Sequence, residues 1–252
     1  MINNPESEQY YSRLLSLGYL PFNYSEKHYL FSKNDRIIKI ARSIYNNATT
    51  DESYYIEAQA HKILSLNGLA VAEICRIFEK GEMVDDFIVL EEEKVSGDVY
   101  YRKNSKESVL KQILDYMLKA TVIQGKSFGM LDKNGEAHFA SWQGYLVSVI
   151  TRAPEKDRER LLCELECVPK DVIPSFVITD CNTANFIFES DKLKCAIDIE
   201  RPMWGDRDFL FGVIKARNPF LFDVAIKAGY AKNVRLISIY EELYKYIFDK
   251  CE

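Results

Sequence analysis

Asp180, Asn185 and Asp198 are the residues of this sequence whose types and spacing could do chemistry. They lie in Val177-Ile178-Thr179-Asp180-Cys181-Asn182-Thr183-Ala184-Asn185-Phe186-Ile187-Phe188 and, further on, Ala196-Ile197-Asp198-Ile199-Glu200. Asn185 opens one apolar run and Asp198 closes another, so a strand pair between them would return both to the same end of a hairpin. Phosphoryl transfer needs such a set. One carboxylate orients the attacking hydroxyl and accepts its proton, while a second carboxylate and an amide oxygen hold Mg²⁺ against the phosphates. Hard oxygen donors suit Mg²⁺. The six cysteines form no C-x-x-C pair and the three histidines are scattered, so a zinc framework is not expected.

Each of these residues also has a bland reading. An isolated Asp is usually a loop carboxylate or a helix cap, and Asn182 is explained equally well by turn formation. Cys181 has no cationic neighbour in sequence and reads as packing. Trp142 and Trp204 read as core. The combination at this spacing, rather than any single residue, carries the functional expectation.

A cleft must position these groups, and the chain divides accordingly. Residues 6–17 read as a helix, with Ser7 as a possible cap and Gly18 as its stop. Strands follow over 19–24, 28–32 and 36–41. They are joined by Ser25-Glu26-Lys27 and by Lys33-Asn34-Asp35, the second a hairpin turn. A polar stretch, 43–53, precedes a helix over 54–66 that presents Ile56, Ala60, Ile63 and Leu64 and stops at Asn67-Gly68. Strands are expected over 69–78 and 86–91, about the turn Lys80-Gly81-Glu82. Beyond Ser96-Gly97 the pattern turns helical: 108–122, 142–150, 155–165, and again from 220 onward, where Ile237, Tyr240, Leu243, Tyr244 and Ile247 recur at helical spacing. The expected fold class is α+β and bilobal. A small β-rich lobe, 1–95, would precede a larger, mainly helical lobe, 96–252, with the boundary near 93–97.

Composition narrows the function classes. The 252 residues are 47% hydrophobic and 28% charged, which supports a sizeable core rather than disorder. A net charge of −5 argues against a sequence-blind nucleic-acid binder, which needs a basic face. The polar, acidic start MINNPESEQYY does not read as a signal peptide, and no apolar run approaches transmembrane length. Scattered, mostly apolar-flanked cysteines read as reduced core thiols, so a cytoplasmic protein with no membrane partner is expected. Oligomeric state is not legible.

The D-x-x-x-x-N pattern with a downstream I-D, here Asp180, Asn185 and Ile197-Asp198, resembles the catalytic and metal-binding loops of the aminoglycoside phosphotransferase family, which has the protein-kinase-like fold. Gly205-Asp206 after Ile197-Asp198-Ile199-Glu200 is closer to small-molecule kinases than to protein kinases, whose D-F-G and A-P-E signatures are absent. Asp206 and Asp208 are both candidates to brace the catalytic loop. Ser141-Trp142-Gln143-Gly144-Tyr145-Leu146 is similar to a helix of hygromycin-type members.

The resemblance implies roles in the first lobe as well. Arg36-Ile37-Ile38-Lys39-Ile40 is similar to the strand bearing the ATP-binding lysine. On strand alternation alone Lys39 would be an exposed edge residue, but Glu57 on the next helix supplies the expected partner, with Glu52 as a rival. The pair would aim the ammonium at the α- and β-phosphates. Ser25 falls in the loop over the phosphates. Glu91-Glu92-Glu93-Lys94 reads as a solvated charge run, yet its place before Ser96-Gly97 suits a hinge, where Glu93 and Val95 would meet adenine through backbone groups.

The expected function is Mg-dependent transfer of the ATP γ-phosphoryl group to a hydroxyl of an aminoglycoside-like antibiotic or another small acceptor. The insert 100–160 would set the choice of acceptor. Ile178-Thr179 stands where the family has His-Gly. That departure motivates the alternative of a pseudokinase-like nucleotide-binding or scaffolding module.

Overall fold

Short alternating runs punctuated by turn residues build the first lobe as one antiparallel sheet. Its strands are β1 (Leu20–Tyr24), β2 (His28–Lys33), β3 (Arg36–Ala41), β4 (Ile74–Phe78) and β5 (Val89–Glu93), in the order β1-β2-β3-β5-β4. The structure, a computed structural model, describes residues 5–25, 27–101 and 106–248. Glu26 of the expected phosphate loop and Cys251 lie outside the described residues. Between β2 and β3 the pair Lys33↔Arg36 closes a two-residue turn, and Asn34 takes the left-handed φ of 53° that Asn tolerates.

Alternation sorts the two faces of this sheet. Phe31, Ile38, Ile40 and Val89 pack with Leu14 of α1 (Tyr11–Ser16) and with Tyr10 just before it. On the opposite face Leu90 packs with Tyr54 of α2 (Ala48–Leu66). This helix starts six residues before the expected 54. Asn47 caps it, its side chain accepting from the Thr50 N–H at 3.1 Å. The polar stretch 43–53 thus holds the cap and first turns, whose backbone demands suit polar residues.

The expected strand over 69–78 is shorter than its apolar run. Only Ile74–Phe78 joins the sheet. Residues 70–72 instead reach the second lobe: Ala72 N–H donates to the Ala196 carbonyl at 3.0 Å, and Ala196 N–H to the Ala70 carbonyl at 3.1 Å. The other connection is the expected hinge. A Cβ on Gly97 would lie 2.5 Å from both Ile187 Cγ2 and the Phe188 carbonyl oxygen, so only glycine lets the chain pass there.

The second lobe holds α3 (Glu107–Ala120), α4 (Trp142–Ile150), α5 (Glu155–Glu164), α6 (Phe209–Arg217), α7 (Pro219–Lys227) and α8 (Val234–Phe248). Two small sheets complete it. One is β10-β9-β6, from β6 (Asp98–Val99), β9 (Phe186–Glu189) and β10 (Lys192–Ala196); the other is β7-β11-β8, from β7 (Gly129–Met130), β8 (Ser175–Val177) and β11 (Met203–Gly205). Helix α6 was not expected. Its residues 209–214 are all buried, so no amphipathic period marks it. Gly212 lets α8 cross closely, since a Cβ there would stand 2.5 Å from Tyr240 Cβ.

Ser141 caps α4, and Trp142, Tyr145 and Leu146 are buried, which explains the motif at its start as lobe packing. Among the described residues the expectation of core thiols holds for Cys181 and Cys195 only. Cys163 and Cys167 are exposed on and after α5, a mainly polar helix that buries only Leu161. Among the described residues no helix is long and apolar enough to cross a membrane.

Candidate active site

The strand pair anticipated between Asn185 and Asp198 forms. Phe186 pairs with Ala196 across β9 and β10, and Ile197 N–H donates to the Asn185 carbonyl at 2.8 Å. Asn185 and Asp198 therefore share one end of a hairpin. The side-chain amide of Asn185 donates to Asp180 Oδ2 at 2.9 Å and to the Asp198 carbonyl at 3.3 Å. Asp180 Oδ1 accepts from the Asn182 N–H at 3.1 Å, and Asn182 in turn accepts from Ala184 N–H at 3.2 Å. Nested turns thus aim the Asp180 carboxylate and leave the Asn185 Oδ1 as its uncommitted acceptor. Burial first, and the Asp198 charge after it, push Asp180 above the ordinary aspartate range.

Lys39 is 4% exposed at the centre of the sheet, not at an edge. Its ammonium lies 2.9 and 2.8 Å from the two oxygens of Glu57 and also contacts Asp198 from the second lobe. Glu52, the rival partner, is exposed. Burial alone would lower Lys39, but Asp198, Glu57 and Glu200 together hold it well above its ordinary value, so it is charged. Asp198 sits at φ 55°, a left-handed conformation, and its side chain keeps 39% of its surface open to the cleft. Burial would raise its carboxyl; Lys39 outweighs that and holds it below the usual range.

A cleft of about 400 Å³ gathers Ser25, Lys27, His28, Leu30, Lys39, Glu92, Asn185, Asp198 and Glu200. Ser25 faces it, its hydroxyl accepting from the His28 N–H at 3.0 Å. Neither Glu93 nor Val95 lines the cleft, and the Glu93 N–H is committed to the Glu73 carbonyl at 2.9 Å. Their neighbour Glu92 does line it. The acidic run is therefore not a uniformly solvated face: Glu91 accepts from Tyr19 at 2.6 Å on the far side of the sheet, while Glu92 is buried. Period-2 alternation from Lys39 through the β3–β5 pairing could have flagged it.

Glu200 is a second residue that the sequence reading did not single out. One ligand oxygen from each of Glu57, Asp198 and Glu200 lies within 4.8 Å of the others. Lys39 contacts all three carboxylates, but only Asp198 and Glu200 line the cleft, together with Asn185. Three hard oxygen donors fit Mg²⁺. His28 and His61 stay neutral. Burial, then Lys39, lowers His28 to about 3, and burial lowers His61 to about 4.

Neither Asp206 nor Asp208 hydrogen-bonds the Asp180 loop. Asp206 accepts from Tyr240 of α8 and from the Asp208 N–H. The brace is Asn218, fully buried between α6 and α7. Its amide donates to the Cys181 carbonyl at 3.1 Å, and its Oδ1 accepts from the Leu221 N–H at 3.2 Å. An Asn218→Ala variant leaves both groups unpaired, so it should lose about 1–3 kcal/mol of stability. Urea denaturation checks this, and an unchanged midpoint would contradict it. Thr179 adds a second tie, its hydroxyl donating to the Arg201 carbonyl at 2.6 Å. With Ile178 buried, the loop is held without the family's His-Gly.

No protein-family model matches the sequence, and no curated protein matches it. Solved structures do match. Aminoglycoside phosphotransferase APH(4)-Ia aligns with a TM-score of 0.73 at 12% identity, over 94% of this chain and 90% of that one. A thermostable mutant of the same protein, in a ternary complex with ADP and hygromycin B, aligns at 0.72 and 13% identity, over 95% and 89%. APH(2")-IIia in complex with GDP and kanamycin aligns at 0.61 and 12% identity, over 95% and 90%. The chain has the bilobal, kinase-like fold of these proteins.

Proposed function

We propose, for a chain folded like the aminoglycoside phosphotransferases, Mg²⁺-dependent transfer of the ATP γ-phosphoryl group to a hydroxyl of a small molecule. The observation that carries this reading is the hydrogen-bonded chain Glu57–Lys39–Asp198–Asn185–Asp180, of which Lys39, Asn185 and Asp198 line one cleft. In it, lobe 1–95 binds nucleotide and lobe 96–252 supplies the reacting groups and the acceptor site. Lys39, steadied by Glu57, meets the α- and β-phosphates, and Ser25 faces the phosphates from the β1–β2 loop. Backbone groups of Glu93 and Val95 meet the adenine edge. Asp180 orients the acceptor hydroxyl and takes its proton as the new phosphate ester forms. Catalysis is mainly positioning and charge stabilisation.

Charge supports a metal. Glu92, Asp198 and Glu200 line the same cleft as Lys27 and Lys39, with Glu57 and Asp180 bonded to its Lys39 and Asn185. A triphosphate would meet a surplus of like charge without a divalent cation. Asp198, Asn185 and Glu200 would hold Mg²⁺, which screens the phosphates when bound. Asp198→Ala removes one donor and should weaken Mg·ATP binding about tenfold or more, roughly 1.4 kcal/mol. ATP alone should bind no worse, because the same change removes a negative charge. Calorimetry with and without Mg²⁺ reads both, and equal losses in the two titrations would contradict the metal role.

The acceptor is proposed as a hydroxyl compound of the aminoglycoside kind or a simpler metabolite. The 124–137 stretch, inside the insert expected to choose it, lines a different cavity behind α2, with no lining residue in common with the cleft. A phosphoryl-transfer screen against aminoglycosides and simple hydroxyl metabolites, paired with thermal shift by Mg·ATP, tests the whole reading. Nucleotide binding without transfer or hydrolysis would favour the pseudokinase-like module; no stabilisation by nucleotide would sink both. The Thr179 and Asn218 ties to the Asp180 loop favour transfer.

A further inference from the structure

A triphosphate needs donors, and several of those at the cleft are already engaged. The Ser25 N–H donates to the His28 carbonyl at 2.8 Å, and the His28 N–H to the Ser25 hydroxyl at 3.0 Å. The β1–β2 loop, Ser25-Glu26-Lys27, has no glycine to carry its backbone against a phosphate. The three donors of Lys39 are taken by Glu57 and Asp198. Lys27 differs. It is half-buried and lines the cleft, and its ammonium has no hydrogen bond or ion pair among the described residues. Such a lysine usually just reaches for solvent, but this one is anchored and placed. The Lys27 carbonyl accepts from the Arg42 N–H at 2.9 Å, just past the end of β3. Arg36 pairs with Glu93 at one end of β3, and Ala41 pairs with His28 at the other. Lys27 therefore stands five residues of strand, about 17 Å, from the edge assigned to the base. Its charge acts on Glu200 of the second lobe, which is assigned to the metal with Asp198.

We propose that Lys27 is a catalytic residue, its ammonium touching the γ-phosphoryl group as that group passes from ATP to the acceptor. The proposal rests on the phosphoryl-transfer reading above. In the step, the bond from the γ-phosphorus to the β–γ bridging oxygen breaks, and ADP leaves with its electron pair. A bond from the acceptor oxygen to the γ-phosphorus forms, and the acceptor proton goes to Asp180. Meanwhile negative charge is spread over the three equatorial oxygens of the moving group. Lys39 is assigned to the α- and β-phosphates, and the metal donors belong to the second lobe. Lys27 reaches the terminal group from the first lobe. Its three donors sit on a four-carbon stem whose backbone end is fixed. A cation placed where charge gathers favours the transition state over bound ATP. A loop without glycine thus contributes through a side chain what the Ser25 and His28 N–H groups, engaged within the turn, do not.

The test compares the full-length wild type with Lys27→Met and Lys27→Arg. Water serves as the acceptor, and single-turnover hydrolysis of Mg·ATP gives the rate. Lys27→Met should hydrolyse about 100-fold or more slowly, the range for losing one preorganised donor to developing charge. Lys27→Arg keeps the charge and should recover most of that loss. Calorimetry supplies the second readout. Mg·ADP lacks the γ-phosphoryl group and should bind all three proteins alike, which also shows that each variant folds. Lys27→Met should weaken the non-hydrolysable Mg·AMP-PNP about tenfold, the worth of one charge-assisted hydrogen bond. That comparison needs no turnover, so it decides even for a wild type that leaves ATP intact. Unchanged hydrolysis in Lys27→Met, or unchanged Mg·AMP-PNP affinity where the wild type does not hydrolyse, overturns the role of Lys27 alone. So does a loss of Mg·ADP equal to the loss of Mg·AMP-PNP, which would make Lys27 a general nucleotide contact. A wild type that binds neither nucleotide overturns the phosphoryl-transfer reading with it.

Discussion

An Asp180→Asn variant is expected to bind Mg·ATP as the wild type does and to transfer its phosphoryl group about 10²- to 10⁴-fold more slowly, the range for losing a positioned general base. The substitution keeps the size of the side chain and an oxygen for the Asn182 N–H. It removes the second carboxylate oxygen, which now accepts from Asn185 at 2.9 Å, and with it the capacity to take a proton. Binding should be spared because Lys39, Asp198 and Glu200 are untouched. Asp180→Ala should slow transfer as much and, beyond the Asn185 contact that both variants lose, also leaves the Asn182 N–H without its acceptor. Single-turnover transfer and nucleotide titration separate the two effects. Full turnover in either variant would reject Asp180 as the base, while loss of nucleotide binding would make it structural.

Lys39→Met should be the most destabilising change in the first lobe. Glu57 is 1% exposed and both its oxygens lie within 2.9 Å of the ammonium. Removing one partner of a buried pair leaves the other uncompensated, at a cost of about 3–5 kcal/mol. The loss should depend on pH with a definite sign. Burial raises Glu57 well above its ordinary 4.5, and Lys39 opposes that shift. Without Lys39 the folded-state value rises further. A carboxyl whose folded pKa is raised favours the fold when protonated, at low pH, and loses that contribution as pH rises through the folded value. The deficit of Lys39→Met against wild type should therefore be smaller at pH 5.5 than at pH 8. Urea midpoints at the two values measure it, and a deficit that shrinks toward pH 8 would refute the account. Replacing both residues, as Lys39→Met with Glu57→Leu, should recover part of the loss, because no charge is then left buried. Transfer should still be absent in the double variant.

Much of this was legible before folding, wherever the signal is local. The hairpin between Asn185 and Asp198 was readable because apolar runs flank both residues and a period of two assigns their sides. The β2–β3 turn was readable because Asn34-Asp35 suits its backbone. The early start of α2 was not, because its first turns are polar and only the Asn47 cap marks them. Helix α6 escaped because a helix buried on every side has no period, and Gly212, which reads as a breaker, serves the close crossing of α8.

By itself, the sequence determined the chemical types: three residues spaced for phosphoryl transfer, and a division into a β-rich and a helical lobe. Those follow from spacing and periodicity, which act over a few residues. Tertiary structure alone decided that Lys39 is buried in the sheet rather than exposed at an edge, that Asn218 rather than Asp206 or Asp208 braces the Asp180 loop, and that Glu92 of an acidic run turns into the cleft. Each depends on which strand or helix lies alongside, a contact between residues far apart in the chain. The free energy of burying a charge or pairing an amide is set by that neighbour, not by the residues on either side.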